Sequence, residues 1–141
     1  MKLAIMYLEG NGVIADTSKA LFYYRMAAEQ NVAYAQYRLA RLYLDGRYME
    51  PDPGQAHAWL SRAARLGFVE AQLNLSLLYE RGPVMTRDIV EAHKWLSIAA
   101  SLTDMDLTSR QQELEVKMTF IEVAHAVSLS RMCILTVFED C

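Results

Sequence analysis

The feature that most constrains this chain is an internal period of 36 residues. Gly10, Gly46 and Gly82 stand 36 apart, and Leu3, Leu39 and Leu75 keep the same step. So do Tyr7, Tyr43 and Tyr79, Asp16, Asp52 and Asp88, and Ala20, Ala56 and Ala92. The alanine pairs Ala27-Ala28, Ala63-Ala64 and Ala99-Ala100 follow, as does the aromatic slot Tyr23, Trp59, Trp95. No insertion or deletion interrupts the register. A unit of this length is one supersecondary element, and it cannot bury both of its apolar faces alone. Stacking successive units makes a continuous core, which is the logic of a solenoid.

Each unit reads as two helices. In the second unit Ala35, Leu39, Leu42 and Tyr43 recur at helical spacing, and Gly46 then supplies a residue that takes a left-handed conformation past the helix end. Asp52 is placed to cap the next helix, with Pro53 in its first turn and Gln55 three residues after the cap. In the third unit Asp88 takes that place and Glu91 completes a capping box. The second helix carries Ala56, Trp59, Ala63 and Ala64, small residues for close approach and an aromatic to fill the space between helices. The pattern predicts helices near 1–9, 17–30, 34–45, 53–66, 70–81 and 89–102. Tyr43, Trp59, Tyr79 and Trp95 are expected in the core.

The resulting pattern, A-x-x-x-L-G-x-x-Y-x-x-G-x-G-V-x-x-D-x-x-K-A-x-x-W-Y-x-x-A-A, resembles that of Sel-one-like repeats, members of the tetratricopeptide-like superfamily. The first unit carries it through Tyr7, Gly10, Gly12, Val13, Asp16, Lys19, Ala20, Tyr24, Ala27 and Ala28. Tyr48 and Val84 replace the second loop glycine in the later units, and Ala40 and Ser76 replace the glycine of the first helix. The resemblance covers residues 1–103, in units of about 1–30, 34–66 and 70–102. It implies an all-α fold, a right-handed α/α superhelix of antiparallel helix pairs. Residues 104–141 then form a helical cap and apolar tail outside the repeat. Thr108-x-x-Gln111 and Thr119-x-x-Glu122 are capping-box signals for helices near 109–118 and 120–133. The last of these carries Ile121, Ala124, His125, Leu129 and Met132. A cap of this kind, with a Met-Thr step before the last helix, resembles that of many bacterial relatives. The tail from Met132 to Phe138 can extend that helix, pack beneath it, or run as an extended segment.

Composition limits the function. The formal net charge of −3 gives no global basic footprint for nucleic acid. No apolar run reaches the length of a membrane span. Met1-Lys2-Leu3 is followed at once by Glu9, Gly10 and Asn11, so this stretch is no signal peptide. The chain as given reads as cytoplasmic, with a periplasmic or secreted place open if a leader lies upstream. Met1 falls at the position of Tyr37, so the first unit begins inside its first helix. The chain reads as the end of a longer array, as one whose leading edge a partner covers, or simply as one with a short frayed helix. Leu3, Tyr7 and the facing side of the second helix are expected to expose apolar surface. That edge and the apolar tail are candidates for self-association. Cys133 and Cys141 are eight residues apart. Within one helix that is roughly 12 Å along the axis, too far for a disulfide, so two unpaired thiols are expected unless the tail turns back.

Catalytic motifs are absent. There is no phosphate-loop signature and no G-x-S-x-G elbow, and Gly10-Asn11-Gly12 follows a helix rather than a strand. His57 and His93 occupy equivalent positions, but no third ligand type repeats with them, so a surface or groove-edge place is expected rather than a metal site. His125 is read as a packing or rim residue. No cofactor is expected. The resemblance implies that the first helix of each unit lines a concave face. On it Tyr37, Arg41 and Leu44 share one side in the second unit, with Leu73, Leu77 and Glu80 as counterparts in the third and Tyr34 at the rim. Tyrosine and arginine are enriched in binding hot spots. The alternative for Leu73 and Leu77 is plain contact with the neighbouring repeat. The chain is therefore expected to be a non-catalytic adaptor or scaffold that holds a protein or peptide. The other reading is a small-molecule-binding or hydrolytic protein of the β-lactam type. Relatives of that kind carry a cysteine pair in each repeat, and these repeats have none.

Overall fold

The computed structural model describes residues 1–82, 87–139 and 141. The loop position Val84 lies outside them. All the regular elements described are helices: α1 Lys2–Glu9, α2 Thr17–Glu29, α3 Ala33–Asp45, α4 Pro53–Arg65, α5 Val69–Arg81, α6 Ile89–Leu102, α7 Thr108–Glu115 and α8 Phe120–Leu135.

One loop design recurs three times and explains why tyrosine, glycine and aspartate keep step. Gly10, Gly46 and Gly82 end α1, α3 and α5 with φ of 73°, 67° and 62°. At Gly46 an added Cβ would sit 2.9 Å from Pro51 Cγ, and the left-handed backbone disfavours a side chain in any case. The aspartate N–H then reaches back across the loop. Asp16 N donates to Tyr7 O at 2.8 Å, Asp52 N to Tyr43 O at 2.9 Å and Asp88 N to Tyr79 O at 3.0 Å. The same aspartate accepts, at 3.0 Å each, from Lys19 N, Gln55 N and Glu91 N in the first turn of the next helix. The starts of α6 and α7, at Asp88 and Thr108, differ from the expected boxes. Because Asp88 N is already bonded to Tyr79 O, the Glu91 carboxylate turns instead to Lys94 Nζ at 2.6 Å. Thr108 is the first residue of α7 rather than its cap, and its N–H is taken by Asp106 Oδ1 at 3.0 Å. The box at Thr119 and Glu122 forms in full.

The chain packs as two compact units, Met1–Ala63 and Ala64–Cys141. In the first, α1 packs on α2 and α2 on α3. Ala4, Ala20, Ala28, Ala35 and Ala40 are wholly buried, which lets these helices approach closely. Tyr7 stacks on Tyr23 with ring centroids 5.8 Å apart and is half-buried, while Leu3, Phe22 and Met26 are exposed. The buried Gln36 donates from Nε2 to Ala28 O at 2.9 Å. Tyr43 and Trp59 are buried.

In the second unit α6 is central, packing against α5, α7 and α8. Ala92, Leu96 and Leu114 form a core to which Leu73, Tyr79, Ile89, Leu107 and Met118 add their partly buried side chains. Trp95 is buried, while Tyr79 is only half-buried. Gln72 repeats the Gln36 bond, donating to Ala64 O at 3.1 Å. The repeat ends at a backbone change. Asn31 and Gly67, one period apart, have φ of 60° and 76°, but the next equivalent, Thr103, is extended at φ −137°.

One expectation about the end of the chain is corrected. Val137 and Phe138 take left-handed φ of 51° and 70°, and Phe138 N donates to Cys133 O at 2.8 Å. The tail thus turns back, bringing Cys141 to a Cα–Cα distance of 5.0 Å from Cys133, and the two form a disulfide rather than free thiols. The face of α8 that packs inward is Ala126, Ser130 and Cys133, while Ile121, Ala124, His125 and Met132 are exposed.

Candidate partner-binding surface

Of the residues singled out on α3, Tyr37 and Arg41 are in contact. Arg41 lies one turn after Tyr37, and its guanidinium sits 6.0 Å from the Tyr37 ring centre and 3.4 Å from its hydroxyl. Arg41 Nη1 donates to the Tyr37 hydroxyl, and the remaining N–H groups of its five-donor fork can serve a ligand. Arg41 also lines a cavity of about 190 Å³ together with Leu8, Arg38, Leu42, Asp45, Arg47 and Tyr48. Three arginines therefore converge, and each has an aromatic neighbour. Arg38 lies 5.9 Å from the Tyr24 ring and Arg47 lies 6.0 Å from that of Tyr48. Asp45, 3.9 Å from Arg47, offsets one of the three charges. Burial pushes the Tyr24 phenol up in pKa, with the Arg38 charge opposing it, so the phenol stays neutral. A second cavity, of about 450 Å³, has mixed charge: Arg25, Glu29 and Asp52 line it with Tyr43, Gln55 and Trp59. Its arginine is committed, donating to Tyr43 Oη at 2.8 Å.

Tyr34 is exposed and Leu44 half-buried, and neither lines the arginine cavity. The counterparts in the second unit have internal work. Leu73 packs on Ala92, Leu96 and Leu114. Glu80 is ion-paired with Arg110 and, at 2.8 Å, with Lys117. Leu77 is half-buried. Two of the lining arginines are not among the residues singled out from the sequence: Arg38, three residues before Arg41 on α3, had a readable helical spacing, while Arg47 lies in the loop beyond α3 and had none.

His93 is not at a surface or groove edge. It is 1% exposed, with Nε2 2.9 Å from Glu115 Oε1 and Nδ1 3.2 Å from Ser97 Oγ. The carboxylate can only accept, so the network assigns the proton to Nε2, and the Ser97 hydroxyl donates to Nδ1. Gln111 Nε2 donates in turn to Ser97 Oγ at 3.3 Å. Serine, histidine and carboxylate are the residue types of a nucleophile relay. Here, however, the imidazole is enclosed and the hydroxyl is engaged by α7, so the network ties α7 to α6. His57 is half-buried and His125 exposed. Among the described residues no group of three or more His, Cys, Asp or Glu could hold a metal ion. No described helix is long and apolar enough to cross a membrane.

Comparison with known proteins agrees with the helix-pair architecture. The Sel1 repeat model matches residues 1–32, 33–68 and 69–104. A Sel1 repeat protein from Oxalobacter formigenes is similar in structure, with a TM-score of 0.72 and 34% identity over 79% of this chain and 84% of that one. So is c5321, described as a protective antigen present in uropathogenic Escherichia coli strains displaying an SLR fold, with a TM-score of 0.67 and 26% identity. That alignment covers 97% of this chain but 38% of c5321. Among curated proteins none matches the chain. Both structural neighbours are bacterial, and repeats of this family generally serve as protein-interaction modules. Three matched repeats and two solved neighbours place the fold among α/α solenoids, and the chain belongs to the Sel1 repeat family.

Proposed function

We propose that this chain is a non-catalytic interaction module that holds an acidic segment of a partner protein on the α1–α3 surface. The observation that carries this reading is the convergence of Arg38, Arg41 and Arg47 on one cavity in a chain of net charge −3. Guanidinium groups held against aromatic rings are suited to bidentate capture of carboxylates. Leu8 and Leu42 supply an apolar floor for the stems of the bound side chains. In this reading the first helix of each repeat lines the concave face, and an extended segment runs across α1 and α3 with Tyr34, Tyr37 and Leu44 as flanking contacts. In the second compact unit Leu73 packs on the core and Glu80 is held by Arg110 and Lys117, so the proposal rests on the first unit alone. Both cysteines lie beyond the repeats, so the cysteine pairs of β-lactam-type relatives have no counterpart within them.

The test is the double variant Tyr37→Ala with Arg41→Ala. Capture of the partner from a lysate by the wild-type protein should drop more than tenfold, while circular dichroism stays unchanged because both side chains are partly or fully exposed. Unchanged capture would put the contact elsewhere.

A further inference from the structure

We propose that α8 pairs with the α8 of a second copy of this chain, antiparallel about a two-fold axis, through the face bearing Phe120, Ile121, Ala124, Ser128, Met132 and Leu135. This is independent of the arginine surface.

The argument begins with where the large side chains lie. Along Phe120–Leu135 the only ionisable side chains are Glu122, His125 and Arg131. A helix that is apolar on every side is ordinarily covered on every side. Here α6 and its neighbours cover only the face made by Ala126, Ser130 and Cys133. The large residues point the other way: Phe120 is 88% exposed, Ile121 79%, Leu135 75% and Met132 52%. This inverts the usual division, in which small or polar residues face water. The exposed side chains of this face approach the roughly 800 Å² that one partner contributes to a standard interface. A lone monomer rarely leaves so large an apolar patch open.

The shape selects a second copy as occupant. Ala124 and Ser128, one turn apart and both exposed, form a small waist at the middle of the face, with large residues toward both ends. Two such helices laid antiparallel, with the axis between Ala124 and Ser128, cross waist to waist. Ala124 of one copy then faces Ser128 of the other. Phe120 meets Met132, and Ile121 lies along the stem of Arg131. The contact is isologous and closes after two copies. Charge favours the same answer. The Glu122 carboxylate is bound to Thr119 N and Oγ1 in the capping box, which leaves Arg131 as the one fixed charge on this face. In the antiparallel register the two arginines stand roughly 15 Å apart along the axis, beyond a Debye length of about 8 Å, so they do not oppose pairing.

Sedimentation equilibrium from low micromolar to high micromolar concentration tests this. The wild-type protein should pass from the monomer mass of 16.1 kDa to twice that value. Phe120→Glu with Leu135→Glu should weaken dimerisation at least 100-fold with an unchanged circular dichroism spectrum. Ala124→Trp, which fills the waist, should do the same without adding charge. A wild-type protein that stays monomeric throughout would overturn the proposal. So would variants that dimerise as tightly as wild type, or a monomer that instead binds a foreign amphipathic helix on this face.

Discussion

Replacing Glu80 by alanine separates a structural role from a binding role at one of the positions that the sequence marks as a candidate contact. Its side chain is 12% exposed. Oε1 accepts from Lys117 Nζ at 2.8 Å, and Oε2 is bonded to Arg110. A charge-assisted hydrogen bond contributes about 1.5–3 kcal/mol when shielded, but Arg110 and Lys117 are 33% and 45% exposed, which brings each pair toward the ~1 kcal/mol of surface bridges. Arg110 also keeps a second partner, Glu113, at 2.6 Å. The expected loss is therefore about 2 kcal/mol at pH 7, or roughly 7 °C in Tm for a chain of this size. Burial alone would raise the Glu80 pKa, yet Lys117 and Arg110 outweigh it and hold the carboxyl below its ordinary value. A lowered folded-state pKa stabilises the fold above the unfolded-state value, and that stability fades as the pH falls through the folded value. Urea titrations of wild type and Glu80→Ala at neutral and at acid pH should thus differ at the first and converge at the second. A difference below about 0.5 kcal/mol at pH 7, or one that persists in acid, would refute the reasoning.

Trp59, buried with the Arg62 guanidinium 4.7 Å from its ring centre, should cost about 3–5 kcal/mol when changed to alanine; a reversible urea titration measures it. Cys133→Ser opens the loop closed by the Cys133–Cys141 disulfide and should lower stability by about 2.5 kcal/mol on the chain-entropy estimate. Dithiothreitol should have the same effect on wild type and none on the variant. Asp52→Ala removes the bond to Gln55 N and should cost about 1 kcal/mol by thermal melting.

The helix pairs were legible because glycine, aspartate and tyrosine serve one loop geometry and so must recur together. Gln36 and Gln72 recur on the same step and were overlooked: periodic analysis weighs apolar positions, while these amides hold the carbonyls of Ala28 and Ala64. His93 was misjudged because its burial depends on α7, which belongs to no repeat and whose packing on α6 leaves no period in the sequence. The disulfide depends on Val137 and Phe138 entering the left-handed region, where a β-branched residue is rarely found, so nothing local announced the turn. On α8 the inward face of Ala126, Ser130 and Cys133 was not readable, since a helix apolar all round carries no periodic signal to say which face turns inward. At the candidate surface, Tyr37 and Arg41 were readable as neighbours on one helix side. Arg38 lies three residues before Arg41 on the same helix, whereas Arg47 joins them only through the loop after α3.

The most direct test of the account is the affinity of the protein for a fluorescein-labelled peptide rich in aspartate and glutamate, followed by anisotropy at rising salt. The account predicts saturable binding that weakens steadily with ionic strength, drops at least tenfold in Arg41→Glu and Arg47→Glu, and is not reproduced by a lysine-rich peptide of the same length. Equal binding of acidic and basic peptides, or unchanged binding in both variants, would contradict it.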